Sequence, residues 1–273
     1  MSAATVTSSA MAPKGEGRLG LRANLRHTGA LARRNLLWIK QDPESMFDAI
    51  LMPIVFTLLF VFVFGGAIAG KGNQGEYVNY VVPGLMAMMG MNMAMGVGTG
   101  FNQDFQTGVM DRFRTLPIAR SSVLIAKIVV EVGRGLIAVM VLLAVGFALG
   151  LSVSSVPGLF AAIGLAMLFG SSIMWIFLTL GVVMKSAQAI QAMGFLVMMP
   201  LQFGSSIFAP TASMPGWLQA FTDYNPLSAL ADSARGLING GPLTHGITVT
   251  LIWSVTLTAV MAPIAIHKFR TRT

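Results

Sequence analysis

Six long apolar runs, separated by short polar segments, dominate the chain: Phe47–Ala69, Val78–Thr99, Gly135–Leu151, Pro157–Val183, Ala189–Phe208 and Thr248–Ile266. Each has about the 17–25 residues that a helix needs to cross ~30 Å of hydrocarbon. The runs are continuous, without the period-two alternation of a barrel strand, so a lipid-exposed backbone must close its hydrogen bonds within helices. The pattern predicts an all-α, polytopic membrane protein with six transmembrane helices. Basic residues alternate between the intervening segments. The amino-terminal segment, the stretch after the second run, the turn after the fourth and the tail hold seven, five, one and three, against only Lys71 and Arg235 in the remaining loops. That asymmetry predicts that both termini are cytoplasmic.

The polar segments add local detail. Residues 1–21 are rich in Ser, Ala and Gly without an apolar core, and read as a disordered cytosolic tail. Over residues 22–46, Arg26, Arg33 and Lys40 recur along one stripe. Leu25, Ala32, Leu36 and Ile39 form the adjoining face, with Trp38 nearby. This predicts a cytosolic amphipathic helix lying on the membrane, stopped at Asp42-Pro43-Glu44. Residues 47–273 form the six-span domain, in which Pro53 is a candidate kink. Residues 210–242 are too polar to cross. They predict an external helical hairpin before the last span, with a short interfacial piece around Trp217 and Phe221. A second helix over Pro226–Ile238 is capped by Asn225 and ended by Asn239-Gly240-Gly241, with Asp232 and Arg235 in reach at i,i+3.

Composition narrows the chemistry. Only 10% of residues are charged, and the net charge of +8 lies beside the apolar runs on one side. Topology and anionic headgroups account for it without nucleic acid. With no cysteine there is no disulfide, zinc–thiolate site or thiol nucleophile. His27, His245 and His267 stand at spacings no metal site uses, so no metal is expected. Gly65–Gly72 imitates a phosphate loop, but Gly72 stands where a magnesium-binding Ser or Thr is needed, and the segment ends a span. This chain is therefore not expected to be an enzyme, and energy must come from a partner or a gradient.

Three groups of residues carry candidate chemistry. Lys127, Glu131 and Arg134 fall on one helix face entering the third run. They read either as a relay or as an ion-pair ladder at headgroup level, the cheaper arrangement for charge. Six methionines interrupted by Asn92 fill the second run, and Gln188, Gln191 and Gln202 punctuate the fifth. Thioethers adapt to varied apolar surfaces but also simply fill space. Asn92 favours a substrate pathway, since an amide in hydrocarbon seeks a partner; Met88, Asn92, Met95, Gln191 and Gln202 are its candidate lining. The segment Phe101–Arg120 mixes Asp104, Asp111, Arg112, Arg114 and Arg120 with apolar Met110, Phe113 and Leu116 and stops at Pro117. It reads as a short amphipathic helix or an ordinary basic loop.

That segment runs into "MDRFRTLPIARSSVLIAK", which resembles the motif after the second span of type-2 ABC transporter permeases, in the daunorubicin-type drug-resistance exporter branch. Asp111, Arg114, Pro117, Arg120 and Lys127 occupy the motif positions. Met214-Pro215-Gly216-Trp217-Leu218-Gln219, followed by Asn225-Pro226-Leu227, matches the family's second mark. The likeness spans roughly Leu31 to Arg270. It implies that residues 22–46 are the connecting helix and that 101–120, with Asp104 and Met110 to Arg120, couples to a separate ABC ATPase subunit that binds ATP and Mg. The expected function is the permease subunit of an exporter of amphipathic or hydrophobic, drug-like small molecules in a bacterial cell membrane, working as a homodimer. A lipid or polysaccharide exporter is the alternative. A gradient-driven carrier is disfavoured, because it would show intramembrane acids and an internal repeat.

Overall fold

The computed structural model describes residues 43–68, 74–109, 120–241 and 244–272, and among them every regular element is helical. The connecting helix expected over residues 22–46 lies almost wholly outside this set, as do Met110 to Pro117. The first helix, α1 (Pro43–Leu59), passes through a π-helical turn (Phe60–Phe64) into a last turn (Gly65–Ile68). There follow α2 (Gln74–Gln106), α3 (Arg120–Ala148), α4 (Val156–Val183) and α5 (Ala187–Phe203). After a 3-10 turn at Thr211–Ser213 come α6 (Gly216–Tyr224), α7 (Pro226–Asn239) and α8 (Thr244–Arg272).

Four of these helices are long and apolar enough to cross a membrane: α2, α3, α4 and α8. Two shorter apolar stretches, Ala49–Phe64 and Ala187–Phe203, accompany them. The third apolar run begins well before Gly135. The helix starts at Arg120 and its membrane-length part at Ser122. Lys127, Glu131 and Arg134 therefore lie within the spanning helix rather than ahead of it. α2 likewise continues past Thr99 to Gln106.

Packing places α2 at the centre, against α4. Their backbones touch where at least one of the two carries no side chain. A Cβ on Gly98 would stand 2.7 Å from the Phe177 carbonyl oxygen, and one on Gly181 would stand 2.7 Å from that of Gly98. Gly90 meets the Ala166 carbonyl in the same way, at 2.8 Å. Small residues permit such approach, and in hydrocarbon the resulting van der Waals contact is a main source of association. α8 packs on α4, while α1, α3 and α5 also lie against α2. Gly146 and Gly150 do not form a second small-residue seam: Gly146 lies against Val82, and Gly150 takes φ +98° in the turn that ends α3.

Successive long elements alternate in direction, so the bundle has two ends, marked by Asp104 and by Arg235. α5 is only 17 residues long, about 25 Å. Its carboxyl end unwinds at Gly204, and α6 and α7 fold back over the Arg235 end. Asn225 caps α7, its Oδ1 accepting from the Leu227 amide at 3.0 Å, and Gly240 ends that helix with φ +77°.

Replacing Gly98 with Leu should separate α2 from α4, costing about 1–3 kcal/mol or more because backbone rather than a flexible side chain is displaced. Gly100→Leu on the same helix, where nothing lies within 4 Å of an added Cβ, should leave the thermal unfolding midpoint of the detergent-solubilised protein unchanged. Equal midpoints for the two variants would contradict the close-contact seam.

Candidate functional site

A cavity of about 560 Å³ opens between α1, α2, α3 and α5, within the range of small-molecule sites. Each helix contributes one face. On α1 it is Ala49, Met52, Pro53 and Phe56, continued by Phe60 of the π-helical turn, spaced at i, i+3, i+4, i+7 and i+11. On α3 it is Glu131, Arg134, Gly135 and Ala138, and on α5 Phe195, Met198, Met199, Gln202 and Phe203. α2 presents Met88, Met89, Asn92, Met93, Met95 and Gly96. The wall is thus chiefly thioether and phenyl surface. Toward the Arg235 end the rings close ranks: Phe60 stacks on Phe208 at 4.4 Å between centroids, and Phe203 leans on Phe208 at 5.4 Å.

Of the residues expected to line a pathway, Met88, Asn92, Met95 and Gln202 meet at this cavity. The Gln202 amide donates to Asn92 Oδ1 at 2.7 Å, joining α5 to α2 across it. Gln191 shares a helix face with Gln202 but lies three turns nearer the Asp104 end, exposed and outside the lining.

The expected ladder on α3 divides. Lys127 pairs with Asp104 of α2, not with Glu131, because the end of α2 packs beside the start of α3. Glu131 instead pairs with Arg134, Oε1 to Nη1, at 3.4 Å. Both face the cavity, about 13 Å or more along α3 from Ser122.

The Asp104 end is tied together by amides and rings. Asn102, which sequence reasoning missed, donates to the Gly181 and Met184 carbonyls at 3.1 and 2.8 Å, closing the end of α4. Gln106 donates to Asn102 Oδ1 and to the Lys185 carbonyl, at 2.9 and 3.2 Å. Phe101, Phe105 and Phe269 make ring contacts that bind α2 to α8. The backbone of Arg120 starts α3, while Met110, Asp111, Arg112, Phe113, Arg114, Leu116 and Pro117 lie outside the described residues.

The Arg235 end answers the broken end of α5. Arg235 donates to the carbonyls of Tyr80, Ser206 and Ile207 at 2.9, 2.7 and 3.0 Å, and to Asp232 at 2.6 Å. Its guanidinium lies 3.7 Å from the centroid of the Tyr80 ring, and the Tyr80 hydroxyl donates to the Ser206 carbonyl at 2.6 Å. Burial pushes the guanidinium down from its ordinary value and Asp232 opposes this. Arginine's intrinsic basicity is high enough to keep it charged. Asn225 adds two bonds, to the Leu201 and Gly204 carbonyls at 2.7 and 3.0 Å.

Long apolar helices that alternate in direction, a backbone seam of glycines and an apolar cavity between helices define a multi-pass membrane protein with an internal cavity. Among the described residues, no group of three His, Asp or Glu side chains could hold a metal ion. The sequence model of the ABC-2 type transporter family matches residues 26–239, and the chain belongs to that family. Membership implies a membrane setting and an ABC ATPase as partner. The chain is 34% identical over 240 residues to a daunorubicin resistance ABC transporter permease protein of Streptomyces coeruleorubidus, covering 88% of this chain and 84% of that one. It is 26% identical over 265 residues to a probable doxorubicin resistance ABC transporter permease protein of Mycobacterium tuberculosis, covering 94% and 91%. A putative transport permease of Cyanophora paradoxa is 23% identical over 209 residues, covering 76% and 72%.

Arg235→Met should destabilise the protein by about 3 kcal/mol, since several buried carbonyls lose a charged donor at once. Asp232→Asn should cost far less, its side chain being 57% exposed. Arg235→Lys should fail to rescue, because one ammonium cannot reproduce the fork. Thermal unfolding midpoints in detergent check the order; a larger loss for Asp232→Asn would refute it.

Proposed function

We propose that this chain is the membrane-spanning permease subunit of an ATP-driven exporter of amphipathic or hydrophobic, drug-like small molecules, and that the cavity between α1, α2, α3 and α5 receives the cargo. In this reading all six apolar elements cross the bilayer, with α1 and α5 as the short ones. The Asp104 end and both termini face the cytosol, and α6 and α7 lie outside. Two copies pair about a two-fold axis, and each engages an ATPase subunit that carries ATP and Mg. The names of the drug-resistance relatives support the cargo class.

The observation that carries the reading is the double role of α2. It forms the methionine wall of the cavity, and its Asp104 end leads directly into the segment that resembles a coupling helix. Asp104, Met110, Asp111, Arg112, Phe113, Arg114, Leu116, Pro117 and Arg120 would meet the ATPase side. A push there has paths into the bundle: Lys127 on α3, the α4–α5 turn through Asn102 and Gln106, and α8 through Phe269.

Asp111→Ala or Arg114→Ala should reduce both ATPase co-purification and daunorubicin efflux from cells about tenfold or more, as loss of a docking charge and its partner implies. Asn102→Ala should leave ATPase co-purification intact while lowering efflux, because it uncouples the α4–α5 turn from α2. Undiminished efflux in the docking variants would remove the coupling assignment.

A further inference from the structure

Among the described residues that line the cavity, seven of 21 are methionine, against 20 of 273 in the whole chain. Filling space in hydrocarbon does not require that concentration, since leucine serves as well. What a thioether adds is a soft lone pair. Two of these side chains are brought to one level. The Gln202–Asn92 bond fixes the register of α5 against the antiparallel α2. One turn on toward the Asp104 end, Met95 of α2 comes level with Met198 of α5. A Cβ on Gly194 would stand 2.9 Å from Met95 Cε, so the Met95 thioether lies against α5 one turn from the buried Met198. Met199 and, from α1, Met52 line the same space. A carboxylate oxygen is also at hand. Glu131 Oε2 rests against Gly96, next to Met95, while Oε1 faces Arg134.

We infer that the thioethers of Met95 and Met198, joined by a third from Met52 or Met199, form a binding site for a soft monovalent cation, Cu(I) or Ag(I). Uncharged sulfur ligands select such ions, whereas Mg and Ca require oxygen donors and Zn prefers imidazole or thiolate. The chain has no cysteine, and no group of three His, Asp or Glu stands among the described residues, so harder ions find no ligand set here. Each methionine has three rotatable bonds, and the sulfurs can turn onto an ion without moving a helix. A single positive charge is held at lower cost where Glu131 supplies a carboxylate in the same wall. Such a site exists independently of any organic cargo that the cavity also receives.

The test uses the full chain in lipid nanodiscs and Ag+ alone, added as the nitrate in chloride-free buffer. Binding is measured by equilibrium dialysis with empty discs subtracted. The wild type should bind about one Ag+ per chain in a saturable step, and excess Zn2+ should not displace it. The double variant M95L/M198L, which keeps the apolar volume, should lose that step. The control M140L/M193L, at exposed positions of α3 and α5 outside the lining, should retain it. Ag+ should also raise the thermal unfolding midpoint of the wild type and leave that of M95L/M198L unmoved. If the double variant fails to fold, M95L and M198L taken singly must each weaken the step by about tenfold or more, as loss of one ligand implies. Absence of a saturable step in the wild type, its persistence in folded M95L/M198L or undiminished in both single variants, its loss in M140L/M193L, or its displacement by Zn2+ overturns the inference. None of these results alters the daunorubicin efflux expected of the permease.

Discussion

Two helix backbones can approach this closely only where at least one of them carries no side chain, and the contact of α2 with α4 at Gly90, Gly98 and Gly181 is the constraint on which the bundle depends. It buries α2 over 83% of its most apolar 18-residue window, against 17% for α8. A helix so enclosed is released from the requirement to dissolve in lipid. α2 is the least hydropathic of the four long helices and the most buried, the reverse of the order a soluble protein would show. Protein neighbours can satisfy amides that lipid cannot. Asn92 and Asn102 are tolerated on α2 for that reason, each with a partner on another helix or turn.

Polar bonding is distributed by the same logic. An unwound backbone in or near hydrocarbon must find donors or acceptors. α5 breaks at Gly204, and the carbonyls freed there and just beyond are taken up by Asn225, Thr222 and Arg235. At its start, Ser186 accepts from the Ala189 amide, while Asn102 and Gln106 hold the Met184 and Lys185 carbonyls. Between these ends α5 buries only Ile190, Gly194 and Met198. The cavity lies where polar bonding is thinnest.

Much of this was legible in the chain, and the failures have physical causes. The helix cap at Asn225, the stop at Gly240 and the Asp232–Arg235 pair depend on neighbours a few residues away, so sequence spacing exposes them. The meeting of Met88, Asn92, Met95 and Gln202 follows from residues alien to a lipid-facing surface turning inward. The start of α3 was hidden because three ionisable residues resemble a headgroup flank. The Glu131–Arg134 pair at i,i+3 was legible in the same way, but nothing local reveals that Lys127 prefers Asp104, twenty-three residues away, to Glu131 at i+4. Tyr80 and Asn102 were invisible in the same way, since their partners lie 126 and 79 or more residues along the chain.

The distribution of restraints also limits how the cavity can change shape. Translating α5 along its axis would break the bonds at both ends at once, including those to a buried guanidinium. Translating α2 would have to open the glycine seam with α4. Turning α5 about its own axis would break the Gln202–Asn92 pair and strain the bonds from Asn225 to the Leu201 and Gly204 carbonyls, while its thioether and phenyl contacts are readily remade. A turn of one residue, about 100° in a 3.6-residue helix, would carry Gln202 and Met198 off the cavity wall. The wall of the cavity would then be exchanged without unwinding a helix, so such a turn changes the shape of the space that the four helices enclose.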